Sequence, residues 1–123
     1  MFYFITLSNV GHVMLIVSNE AGGFSMDKLR SKQTIPKNKW SHIAVTFNRG
    51  SITFYIDGRL DATLPSKTIK FTNRREYPND HLTIGGLWNN HYTFDGLIDE
   101  VAIYCRPLSS DDIQTLFESD GIL

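Results

Sequence analysis

Trp40-Ser-His-Ile-Ala-Val-Thr-Phe-Asn-Arg-Gly50-Ser-Ile-Thr-Phe-Tyr-Ile-Asp-Gly58-Arg-Leu60-Asp-Ala-Thr-Leu64 carries three alternating runs in succession. Ile43, Val45 and Phe47 share one side of an extended chain, as do Ile52, Phe54 and Ile56, and then Leu60, Ala62 and Leu64. A period of two places one face of each run in a core, so the stretch predicts three half-buried strands. Asn48-Arg49-Gly50 can supply the positive φ of a three-residue hairpin, and Asp57-Gly58 is a strong two-residue hairpin signal. Together they predict an antiparallel meander.

Toward the N-terminus, Phe2 to Leu7 and His12 to Val17 read as two short strands joined by a turn at Gly11. Ala21-Gly22-Gly23 breaks the pattern, Phe24 to Leu29 reads as a third short strand, and Arg30 to Gln33 as a basic loop. Pro36 and the lysines at 37 and 39 form a solvated approach to Trp40. Met1 to Ile5 is apolar but lacks a basic opening and a small-residue cleavage site, so no export signal or anchor is expected in this chain.

Toward the C-terminus, Pro65 to Asp80 is polar and irregular and reads as a long surface loop with Tyr77 inside it. Alternation resumes at Leu82 and Ile84, and Gly85-Gly86 ends or bends that strand. Leu87 to Phe94 is a second loop, rich in aromatic and amide side chains. Gly96 to Tyr104 predicts the last strand, with Leu97, Asp99, Val101 and Ile103 on one face. A carboxylate in an apolar row needs partners. Two readings of Asp99 stay open: it accepts hydrogen bonds from a neighbouring strand or loop, or it helps to hold calcium with oxygens near Asp95 and Asn90. No other cofactor is expected.

The chain then changes period. Ser109 is a helix N-cap, Asp112 makes a near capping box, and Leu108 and Ile113 form a hydrophobic staple. A short helix follows, with Ile113, Leu116 and Phe117 on one face and Gly121 placed to close it. The expected core comprises Trp40, Ile43, Val45, Phe54, Ile56, Leu97, Val101 and Ile103.

Composition narrows the function. At 123 residues the chain is one domain by the usual prior, burying about two-thirds of its unfolded surface. Lys and Arg number 12 and Asp and Glu 13, a net charge of −1, which gives no pull toward nucleic acid or a membrane surface. Cys105 is alone, so no internal disulfide forms, and its apolar neighbours predict an inert, partly buried thiol. The histidines at 12, 42, 81 and 91 have no metal-ligand spacing, and no nucleophile elbow or phosphate-binding glycine loop is present.

Several pieces carry a resemblance: Trp40 to Phe47, Ile52 to Gly58, Leu82 to Gly86, Phe94-Asp-Gly-Leu-Ile-Asp-Glu-Val-Ala-Ile-Tyr104 and Pro107-Leu-Ser109. In order and spacing they resemble the concanavalin A-like lectin/glucanase superfamily, in its laminin G-like, pentraxin-related form. The resemblance implies an all-β fold, an antiparallel jelly-roll sandwich with a short C-terminal helix. It implies extra strands before Phe2, so the chain looks like the C-terminal two-thirds of a domain, whose open sheet edges invite another chain. Related glucanases set two carboxylates roughly 5 to 5.5 Å apart. Here Asp99 and Glu100 are adjacent in the expected strand and point to opposite faces, so no enzyme is expected.

A non-catalytic binding module of carbohydrate-binding or adhesion type is the resulting expectation. Trp88 and Tyr92 can stack on a sugar while Asn89, Asn90 and His91 bond its hydroxyls, with Tyr77 a further aromatic candidate. The alternative is a structural module that contacts protein neighbours in a larger complex or viral particle. Partners are then a glycan or a protein, a homo-oligomer or larger assembly is expected, and the resemblance implies an extracellular, cell-surface or virion setting.

Overall fold

The computed structural model describes residues 3–17, 29–65, 83–86 and 93–119. The chain divides into two compact units, one comprising Met1–Thr72 with Tyr104–Leu123 and the other Asn73–Ile103. Among the described residues the first unit holds two antiparallel three-stranded sheets and one helix. Its strands are β1 (Tyr3–Leu7), β2 (His12–Val17), β3 (Arg30–Thr34), β4 (Ile43–Asn48), β5 (Ser51–Ile56) and β6 (Arg59–Pro65), and its helix is α1 (Ser110–Glu118). The sheets run β1-β2-β3 and β4-β5-β6.

The meander forms where the alternation places it. Ile43 pairs with Ile56, Val45 with Phe54 and Phe47 with Ile52. The first hairpin is tighter than its sequence suggests, because pairing continues to Asn48 and Ser51 and leaves a two-residue turn. Arg49 and Gly50 both have positive φ, 45° and 83°, and so do Asp57 and Gly58, at 50° and 77°. Both turns therefore have the twist that matches the flanking strands.

One face of β5 meets β2. Val13 and Leu15 are buried against Ile52 and Phe54, with Val45, Ile56 and Leu64 packed around them. Full burial of a side chain such as Phe54 contributes about 1.5–3 kcal/mol. The other face of β5 is also covered, since Tyr55 is buried with Leu108, Ile113 and Leu116 under α1. Tyr55 Oη and Ser110 Oγ lie 3.1 Å apart. The helix starts as expected: Ser109 Oγ accepts from Asp112 N, and Asp112 Oδ2 accepts from Ser109 N.

Of the third strand expected over Phe24 to Leu29, residues 24–28 lie outside the described residues, and Leu29 O accepts from Leu15 N at 2.9 Å. Arg30 to Gln33, expected as a basic loop, lies in β3, and its polar residues are held by side chains. Where its pairing with β2 is irregular, buried Ser31 accepts from Val13 N and donates to Gln33 O at 2.6 Å. His12 Nδ1 donates to Ser31 O at 2.9 Å. On the side toward β6, Asp61 accepts from Lys32 N and from Gln33 N. Asp61 is the extra residue of a bulge, since Phe54 pairs with Ala62 while Tyr55 pairs with Leu60. No helix among the described residues is long and apolar enough to cross a membrane.

The expected last strand does not form in the second unit. Residues 96–104 make no ladder, and Leu97, Val101 and Ile103 are 77%, 52% and 63% exposed. Glu100 has φ 53°, a left-handed conformation that a strand does not contain, and its N–H bonds the neighbouring Asp99 carboxylate instead of another strand. Residues 83–86 are likewise outside any strand, and Ile84 is exposed. In the first unit, Trp40 is 62% exposed and Ile43 also reaches solvent, because both lie where the meander begins and no strand among the described residues covers its outer edge.

Candidate functional site

The approach to β4 and the β5–β6 turn build one corner of the meander. Asn38, with φ 60°, turns the chain toward Trp40. The ladder then extends one step past the strand, as Asp57 N donates to His42 O at 2.8 Å and Asp57 Oδ1 accepts from His42 N at 2.9 Å. The His42 ring lies 5.9 Å from the Phe117 ring of α1, inclined at 56°. Gly58 leaves room for that ring, since a Cβ there would sit 2.9 Å from Phe117 Cδ1.

Two polar atoms at this corner, Ser41 Oγ and His42 Nδ1, are buried without a hydrogen-bond partner among the described residues. Burial lowers the His42 pKa from the ordinary 6.5, and the nearby Asp57 carboxylate offsets part of that effect. Asp57 Oδ1 bonds the His42 backbone N–H while the His42 Nδ1 has no partner among the described residues, so the two do not form a carboxylate–Nδ1 pair. Trp40 presents a solvent-facing indole beside it, suited to contact an apolar surface. Sequence reading placed Trp40 in the core. Its position next to the Lys37-Asn38-Lys39 turn, ahead of the first paired residue, was the available signal for exposure.

In the second unit, the sequence-predicted residues Tyr77, Trp88, Asn89, Asn90, His91 and Tyr92 lie outside the described residues. The flanks of the 87–92 stretch are described: Phe94 N donates to Gly85 O at 2.7 Å. That bond ties the described flanks of the segment together.

Asp99 is exposed and accepts from Glu100 N at 2.9 Å. Among the described residues no group of three or more His, Cys, Asp or Glu side chains gathers to hold a metal ion, and Asn90 lies outside them. The calcium reading at Asp99 thus rests in part on a residue outside the described ones. Cys105 is exposed, contrary to the partly buried thiol expected, because the segment leading to it joins no sheet.

A laminin G family model, described as the concanavalin A-like lectin/glucanases superfamily, matches residues 2–114. No curated protein sequence matches the chain. A crystal structure of an S-layer domain-containing protein (residues 221–444) from Clostridium thermocellum ATCC 27405 aligns with a TM-score of 0.49 and 22% identity. The alignment covers 95% of this chain and 68% of that one.

Proposed function

Because the chain belongs to the concanavalin A-like lectin/glucanase superfamily, we propose that it is a non-catalytic binding module of carbohydrate-binding or adhesion type. The observation that carries the reading is the hydrogen bond from Phe94 N to Gly85 O. It joins the flanks of a segment with Trp88 and Tyr92 for stacking and Asn89, Asn90 and His91 for hydroxyl groups. Joined flanks lower the entropic cost of holding the side chains between them on a ligand. Tyr77 is the further aromatic candidate. Support for a non-catalytic role comes from the carboxylates: Asp57, Asp61 and Asp112 each accept backbone N–H groups, so their oxygens serve the fold.

A glycan array probed with the purified chain tests this reading, with Trp88→Ala and Tyr92→Ala as variants. Binding lost in both variants while thermal stability is kept is the expected result. No binding to any glycan by a folded chain would reject it.

A second reading, a structural module contacting protein neighbours, is favoured by the exposure of Leu97, Val101 and Ile103 in one unit and of Trp40 in the other. Sedimentation tests it, with self-association or capture of a protein neighbour expected. Either role suits an extracellular, cell-surface or virion setting.

A further inference from the structure

The His42 corner joins a titratable ring to the only packing that α1 makes with the β5–β6 turn among the contacts described. The ring lies against Phe117, and Phe117 in turn fills the space left by Gly58. We propose that His42 is a proton-operated latch: protonation at mildly acidic pH frees the last turn of α1 from the meander while both sheets stay folded.

The geometry carries the argument. An imidazolium has two N–H donors and needs water or an acceptor at each. Nδ1 of His42 is shielded and meets no acceptor among the described residues, and its neighbour Ser41 Oγ is equally unpartnered. A charge placed there is stabilised better when that nitrogen reaches water, and withdrawal of Phe117, the ring packed against His42, opens one side of the imidazole to it. The charged groups of the surrounding elements do not reverse this. Asp57, from the β5–β6 turn, attracts an imidazolium, but its Oδ1 already bonds the His42 amide. Arg59 on β6 and Lys39 on the approach to β4 are cationic, and Glu118 on α1 accepts from Gln114 at 3.0 Å.

The direction of the pH effect follows. Burial outweighs Asp57 and holds the His42 pKa below 6.5 in the docked state, so the released state binds the proton more tightly. Docking is complete above pH 6.5 and weakens as the pH falls below it toward the docked-state value. The other end of α1 stays fixed over this range. Leu108 and Ile113 remain packed on Tyr55, and the capping carboxyl of Asp112 is held below the usual carboxylate range, chiefly by the Ser109 N–H, so it remains ionised.

The test is an NMR titration of the whole chain from pH 8 to pH 5.5, with amide hydrogen exchange at each step. His42 should titrate below 6.5. Amides of residues 116–118 should lose protection, corrected for intrinsic exchange, about tenfold for each pH unit between the released and docked titrations, while Ile52 to Phe54 hold theirs. His42→Phe should keep the helix end equally protected at both pH limits, and His42→Gln serves if that variant does not fold. A His42 titration at or above 6.5 would overturn the proposal, as would simultaneous loss of protection in helix and sheet or a pH response that survives in the folded variant. The wild-type titration decides the matter even without a variant.

Discussion

Asp61→Ala removes the clasp between β3 and β6. The Asp61 carboxylate accepts from Gln33 N at 3.0 Å and from Lys32 N, serving two backbone donors of a strand whose own residues are largely exposed. Hydrogen bonds to a charged acceptor contribute about 1.5–3 kcal/mol each, but at this exposed rim water can replace the lost acceptor. The expected total cost is therefore about 1–2 kcal/mol, or a fall of roughly 4 °C in Tm for each kcal/mol lost. Asp61→Asn keeps one carbonyl oxygen and should cost about half as much. Urea unfolding gives the stability, and amide exchange at Lys32 and Gln33 locates the change. A loss under about 0.5 kcal/mol, with both amides as protected as in the wild type, would refute the idea that one side chain holds this seam.

Phe54→Ala should destabilise the chain by about 3–5 kcal/mol in the same assay, because Phe54 is fully buried between the sheets, while half-buried Val45→Ala should cost about 1–3 kcal/mol. Ser109→Ala should cost about 1 kcal/mol and lower the helical circular dichroism signal. Since the folded-state pKa of Asp112 is depressed, its contribution is present above about pH 3.8 and is lost as the pH falls through the folded value; Asp112→Asn should flatten that part of the stability profile. Asp99→Asn should change stability by less than about 0.5 kcal/mol, with or without chelator, because Asp99 is exposed and its one described bond is to the next residue. Chelator-sensitive melting of the wild type that vanishes in Asp99→Asn would instead establish calcium at Asp99.

The meander was legible because its signals agree. Alternation, two glycine turns and apolar faces point to the same three strands; misjudged were the length of the first turn, where Arg49 takes a left-handed conformation that side chains disfavour, and the burial of Trp40, Ile43 and Leu60, which reach solvent at the start of the meander and beside the Asp61 bulge. The helix start was legible for the same reason, with a cap, a box and a staple in one short stretch. By contrast, Arg30–Thr34 has no apolar period, and its place depends on Ser31 and on an aspartate 28 residues from Gln33, which no local pattern shows. Residues 97–103 alternate as a strand would, yet periodicity does not report whether a neighbouring edge exists or whether Asp99 captures the next amide. The candidate loop residues followed from chemistry alone, and of their setting only the Gly85–Phe94 bond is described. The histidines could be read only for metal-ligand spacing, and the packing of His42 on Phe117 was hidden because the two lie far apart along the chain.

The covering of β5 by α1 has a kinetic consequence. The hairpins of the meander close loops of two residues each, whereas the Tyr55–Ser110 contact joins positions 55 apart and carries a larger closure entropy. The meander is thus expected to form early and the helix to dock late. During synthesis the Tyr55 face emerges well before the residues that bury it, so a nascent or truncated chain ending short of α1 presents an apolar strip to any nearby polypeptide. Yield of folded protein should therefore depend on the last turns of the sequence more steeply than their small share of the core suggests.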